Sequence, residues 1–167
     1  SPDGRYLTFA LKDVDREGDG YRWNLWLYDL ERRESRQITQ GDDQRKAVWE
    51  DNTHILYKTT EPDEAMRARG FEEEWTVYHR LNVCTGEDRE AFRLPMSVSG
   101  LWKMDEGRYV LTGETHLDRP NLLELTGEAL EKELVRRQQT KGYKVLTELH
   151  LCENGVGMFN QTRNTLF

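Results

Sequence analysis

Apolar runs along this chain are short, alternate with polar turns, and follow the two-residue period of strands more than the 3.6-residue period of helices. Runs such as Asn24–Leu30 (NLWLYDL) and Trp75–Val83 (WTVYHRLNV) are rich in leucine, aromatic and β-branched side chains, which fill a pleated surface well. Three segments align as a turn followed by a strand: Asp3-Gly4-Arg5-Tyr6-Leu7-Thr8-Phe9, Asp51-Asn52-Thr53-His54-Ile55-Leu56-Tyr57 and Glu106-Gly107-Arg108-Tyr109-Val110-Leu111-Thr112. In each, Gly or Asn can supply the positive φ that a tight turn requires.

The same order of parts follows each turn. The first unit predicts strands at Arg5–Lys12, Asn24–Leu30 and Ser35–Thr39. The second predicts Ile55–Thr59, Trp75–Val83 and Glu90–Leu94, with a turn at Cys84–Glu87. The third predicts Tyr109–Gly113, Asn121–Leu125 and Tyr143–Leu149. Lys46–Trp49 and Val98–Met104 precede the second and third turns and supply a further strand to each unit. A meander recurring every ~50 residues is the signature of propeller blades. The expected fold is therefore all-β, a partial β-propeller of about three four-stranded blades plus the start of a fourth. The approximate repeats are 1–45, 46–97 and 98–151, with 152–167 opening the next. Leu25-Trp26-Leu27-Tyr28 is apolar on both faces, as suits sheets stacked face to face. Because Ser1 falls inside a repeat, the sequence reads as part of something longer.

Two stretches break the strand period. Pro62–Gly70 has proline in its first turn, acidic residues early, basic residues late and a glycine stop, which predicts a short helix. Gly127–Gln139, with Thr126 as N-cap, places Leu130 and Leu134 one turn apart, and Ala129 and Val135 broaden that stripe. This predicts a longer helix inserted into the third unit.

The net charge of −7 makes nucleic acid and anionic membranes poor partners, since both need clustered Lys and Arg. The adjacent pairs Arg32-Arg33 and Arg136-Arg137 each sit beside Glu and read as solvated surface. No apolar run reaches the ~18–20 residues of a membrane span. Cys84 and Cys152 are far apart, without metal or redox spacing, which fits reduced thiols and a cytoplasmic location.

The opening SPDGRYLTF, the NLWLYDLERRESRQIT run and the closing TELHLCENGVGMFNQTRNTLF together resemble the N-terminal propeller of prolyl oligopeptidase-family serine peptidases, especially the acylaminoacyl-peptidase and dipeptidyl-peptidase branches. In the closing segment, Asn154-Gly155-Val156-Gly157 is similar to a family turn that precedes a basic residue and a new strand. Cys152-Glu153 stands where relatives often carry an aromatic. The resemblance implies a partner α/β-hydrolase domain bearing Ser, Asp and His, with the propeller admitting short peptides and excluding folded proteins. The chain holds no G-x-S-x-G elbow, so no catalytic residue is assigned to it. Its implied role is non-catalytic, with a stand-alone interaction module closed by self-association as the alternative. A carboxylate-based enzyme on a propeller ranks behind both.

Candidate chemistry is sparse. Glu72, Glu73 and Glu74, ahead of Trp75, are the substrate-binding candidates: by the resemblance, a pair of them would capture a peptide's free amino group, in competition with a plain solvated edge. Asp13–Gly20 has clustered carboxylates and glycines, but Glu17 and Asn24 depart from the calcium-loop pattern, so an exposed hairpin loop is expected. His54, His79, His116 and His150 lie at no metal spacing. Trp23, Trp26, Trp49, Trp75 and Trp102 are expected to pack in the core. No metal or cofactor is expected.

Overall fold

Gly4 and Gly107 take φ of 75° and 76°, the left-handed conformation that their turns call for. Asn52 does not. Its side-chain Oδ1 instead accepts the Asp3 backbone N–H at 3.0 Å, tying the first two turns together. Asp51 closes the second turn by accepting from the backbone N–H groups of Thr53 and His54, both at 2.7 Å. The computed structural model describes residues 1–15, 20–41, 43–105, 107–116, 119–142 and 162–167.

Among the described residues, three antiparallel sheets grow from these turns. The first holds β1 (Tyr6–Asp15), β2 (Gly20–Asp29) and β3 (Glu34–Gln37) in that order. The middle sheet holds β4 (Ala47–Trp49), β5 (His54–Pro62), β6 (Glu74–Asn82) and β7 (Asp88–Leu94). The third has β9 (Arg108–His116) at its centre, flanked by β8 (Val98–Asp105) and β10 (Thr162–Leu166). The β2–β3 turn is tightened by Asp29, whose Oδ1 accepts from the N–H groups of Glu31 and Arg32. Arg33 completes it with φ 57°, a conformation that a non-glycine residue adopts at some cost.

Strand alternation gives the middle sheet two apolar faces. Ile55, Tyr57 and Leu81, with Val83 just beyond β6, pack against Leu25 and Leu27 of β2. On the opposite face, Leu56 and Tyr78 pack against Val98 and Leu101 of β8. The middle sheet is thus covered on both sides, which explains why its central strands are apolar throughout. At about 1.5–3 kcal/mol for each fully buried aliphatic side chain, these two contacts supply the main cohesion between the sheets. Thr76, 2% exposed, joins the middle and third sheets by donating its hydroxyl to the Met96 carbonyl at 2.6 Å and accepting from the Val98 N–H at 3.1 Å.

The third sheet departs from the expected order. Asn121–Leu125, expected as a strand, forms a 3-10 turn at Leu122–Glu124. Asn121 caps it by accepting from the Leu123 N–H at 2.9 Å and donates to the Pro95 carbonyl. The third strand is instead β10, from the stretch assigned to the opening of the next repeat. The expected strand Tyr143–Leu149 lies outside the described residues.

Both helices form, with adjusted ends. The first, α1 (Glu64–Ala68), is shorter than expected because Pro62 ends β5 and Asp63 is the N-cap, accepting from the Met66 N–H at 2.9 Å. The second, α2 (Gly127–Thr140), starts after Thr126, whose side chain makes no capping bond. Its apolar stripe is narrower than expected: Leu134 is buried and Leu130 partly so, while Ala129 and Val135 are exposed. Met66, Leu122 and Leu134 form the core of a helical lobe attached where the β5–β6 hairpin opens.

Candidate functional site

β1, β4 and β8 are each an edge strand of their sheet, and β4 and β8 approach one another. Where the three edges converge they enclose a groove of about 870 Å³. Its apolar lining includes Phe9 and Ala10 from β1, Val48 and Trp49 from β4, and Leu101 and Trp102 from β8. Trp102 is 53% exposed, against the expectation that the tryptophans pack in the core. It lies across Gly100, where an added Cβ would come within 2.4 Å of the indole, so only glycine leaves room for that ring position.

The polar lining carries four cations, Arg45, Lys46, Lys58 and Lys103, and Asp43 is the sole carboxylate among the lining residues, although the whole chain carries −7. Lys58 reaches from β5 to donate to the Val98 carbonyl at 2.8 Å. Burial lowers its pKa below the usual lysine value; Asp43 acts against that shift, while Lys46 and Arg45 add to it. Lys103 donates to the Glu50 carbonyl. Arg45 pairs with Asp43 and holds its guanidinium 5.3 Å above the Trp23 ring. Lys46 is exposed. Beside the groove, Glu50 accepts from the Tyr109 hydroxyl at 2.6 Å and pairs with Arg80 at 2.6 Å. Burial, with the Glu50 contact adding to it, pushes the Tyr109 phenol up to about 12.

The three candidate glutamates sit elsewhere, at the entrance to β6 beside the helical lobe, and none lines the groove. Glu72 and Glu74 are exposed. Glu73 is engaged by Arg137 of α2 at 2.5 Å. Arg137 also binds Glu133 at 2.9 Å and donates to the Pro120 carbonyl. Its side chain is 11% exposed, which corrects the reading of Arg136-Arg137 as solvated surface. Arg136 closes the far side of Glu133 at 2.7 Å; together with Arg137 it holds that carboxyl below the usual glutamate range, against the opposing effect of burial.

The remaining candidates have structural partners. His54 binds Asp51 at 2.9 Å. His79 stacks on Tyr57 with ring centroids 5.3 Å apart and meets Asp88 at 3.3 Å, while the Tyr57 hydroxyl also donates to Asp88. His116 ends β9 beside Arg119. His150 and Cys152 lie outside the described residues. Cys84 is an exposed free thiol. Asp13–Gly20, expected as an exposed loop, is largely strand where it is described: Asp13, Val14 and Asp15 belong to β1 and pair with Arg22, Tyr21 and Gly20 of β2, and residues 16–19 lie outside the described set. Among the described residues, no three His, Cys, Asp or Glu gather as for a metal ion, and no helix is long and apolar enough to cross a membrane.

Sequence reasoning missed the groove because its cations come from β5, β8 and the β3–β4 connection, with no local motif. The one available signal was strand position: Trp49 and Trp102 stand in the two strands that precede repeat turns. Compared with known proteins, the chain matches no protein-family model, and no curated protein matches it.

Proposed function

We propose that this chain is the non-catalytic propeller portion of a serine peptidase, and that it gates the access of short peptides or acyl-peptides to an α/β-hydrolase domain. The observation that carries this reading is the middle sheet, covered on both faces by its neighbours while β4 and β8 run side by side along one groove. Successive blades around an axis have this arrangement, each with one edge strand toward a central channel. Such a channel limits substrates by width, so the hydrolase acts on oligopeptides and not on folded proteins. Glu72 and Glu74 remain available for a substrate's amino group. Widely separated cysteines fit a cytoplasmic setting.

The test is the size selectivity of the natural polypeptide that carries this sequence. Peptides and acyl-peptides of a few residues are expected to be cleaved, with rates falling steeply as length grows and folded proteins resisting. Cleavage indifferent to length, or no hydrolysis, would overturn the reading.

A second reading, an interaction module closed by self-association, is favoured by β1. Its outer edge has no partner strand among the described residues, and Leu7, Leu11 and Val14 are exposed along it. Unpaired edges of this kind recruit other strands. Light scattering on the 167-residue chain distinguishes the two: a tight dimer persisting on dilution supports the module, and a monomer removes it.

A further inference from the structure

Cations outnumber carboxylates in the lining of the groove. Arg45, Lys46 and Lys58 converge near one carboxylate, Asp43, in a chain whose overall charge is −7. A lysine ammonium has three donors, and Lys58 directs one of them to the Val98 carbonyl. Trp102 presents its exposed ring in the same space, held there by the absence of a side chain at Gly100. The volume of about 870 Å³ falls within the range of about 300–1,000 Å³ typical of small-ligand sites, enough for a few residues of peptide and too small for a folded domain.

We propose that this groove binds short acidic peptides, with carboxylates held by Lys46, Lys58 and Arg45 and an apolar side chain laid against Trp102. The choice of peptide as ligand rests on the peptide-handling role proposed above. Charge complementarity favours a carboxylate. An anion placed among these cations relieves their mutual repulsion, and charge-assisted hydrogen bonds are roughly twice as strong as neutral ones. A long polyanion is disfavoured because the rest of its length would be repelled by a chain of net charge −7. A short peptide feels mainly the charges within the Debye length of about 8 Å.

The experiment is calorimetric titration of the 167-residue chain, at an ionic strength of about 0.15 M, with an N-acetylated hexapeptide containing several Glu and one Leu. The matched Gln and Lys peptides and inorganic polyphosphate serve as comparisons. The Glu peptide is expected to bind about tenfold or more tightly than the Gln peptide, a difference consistent with charge-assisted contacts. Lys46→Ala, at an exposed position, is expected to weaken Glu-peptide binding several-fold without changing the thermal midpoint. Trp102→Ala is expected to weaken binding of both the Glu and Gln peptides, and Lys132→Ala on α2 to change nothing. Equal affinity for Glu and Gln peptides, or indifference to Lys46→Ala, would overturn the proposal. So would polyphosphate binding with the same affinity and the same dependence on Lys46, which would define a generic anion site. A dimer that does not bind the Glu peptide would mean that the second copy closes the groove, and would also overturn it. Failure here leaves the size-selectivity result standing, whereas loss of hydrolysis with acidic preference intact would remove the peptidase reading and leave a peptide-binding groove.

Discussion

Arg137 on α2 and Glu73 at the entrance to β6 meet at 2.5 Å across 64 residues of sequence, and their ion pair fastens the helical lobe to the middle sheet. Both side chains are largely buried, at 11% and 18% exposure, and Arg137 also neutralises Glu133. Removing one partner of such a pair leaves an uncompensated charge, which costs more than the pair itself contributes.

Arg137→Met is therefore expected to destabilise the chain by about 2 kcal/mol, below the 3–5 typical of fully buried pairs because Arg136 still serves Glu133. Glu73→Gln is expected to cost less, about 1 kcal/mol, since Arg137 keeps Glu133 as a partner. Urea unfolding of both single variants and the double variant measures the coupling. Additive effects would mean that the Glu73–Arg137 pair does not fasten the lobe.

Thr76 forms a second tie between sheets. Thr76→Val keeps shape but leaves the Met96 carbonyl and the Val98 N–H without their partner, at an expected cost of about 1–3 kcal/mol. Thr76→Ser retains the hydroxyl and is expected to lose less. Equal losses in urea unfolding would locate the effect in packing and not in hydrogen bonding.

Acid sensitivity should centre on Asp51. Desolvation pushes its carboxyl up, but donation from the backbone N–H groups of Thr53 and His54 and from the side chains of both outweighs this and holds it at about 2. The unfolded value is about 3.9, so the folded state binds its proton less readily than the unfolded state. The resulting stability is fully present above about pH 4 and is lost as pH falls through about 2. The side chain is nearly half exposed, and solvent screening reduces the contribution to about 1 kcal/mol. Asp51→Asn is expected to lower stability at pH 6 and to flatten the decline between pH 4 and pH 2, followed by urea midpoints. An unchanged slope in that window would assign the acid response to other carboxylates.

Gly100→Ala tests the groove wall. The new methyl group would displace the Trp102 indole, which is free to swing toward solvent, so stability should change by less than about 1 kcal/mol. Tryptophan emission, measured as the difference from Trp102→Phe in each background, is expected to shift to the red. An unchanged spectrum would mean that the ring does not rest on Gly100.

Hairpins were legible in the sequence because their signals are local: Gly4, Gly86 and Gly107 mark turns, and alternating apolar residues mark the flanking strands. Asn121–Leu125 was misread because a five-residue run rich in leucine fits a strand and a short helical turn equally well. Asn121, a good cap, was the residue that favoured the turn. β10 was not recognised as the third sheet's partner because it joins β9 from far along the chain, and no local pattern encodes such pairing. Arg137 shows its i,i+4 relation to Glu133 in sequence, but its burial depends on Glu73. The groove is the least legible feature, since Lys46, Lys58 and Lys103 become neighbours only when the sheets stack.

This chain is proposed to serve a serine hydrolase domain without containing the nucleophile. That role is tested most directly by treating the natural polypeptide that carries this sequence with a fluorophosphonate and locating the modified residue by peptide mass mapping. The expected result is one labelled serine outside residues 1–167, with peptide hydrolysis abolished in proportion to labelling. Absence of any label, or a label on a serine within residues 1–167, would contradict it.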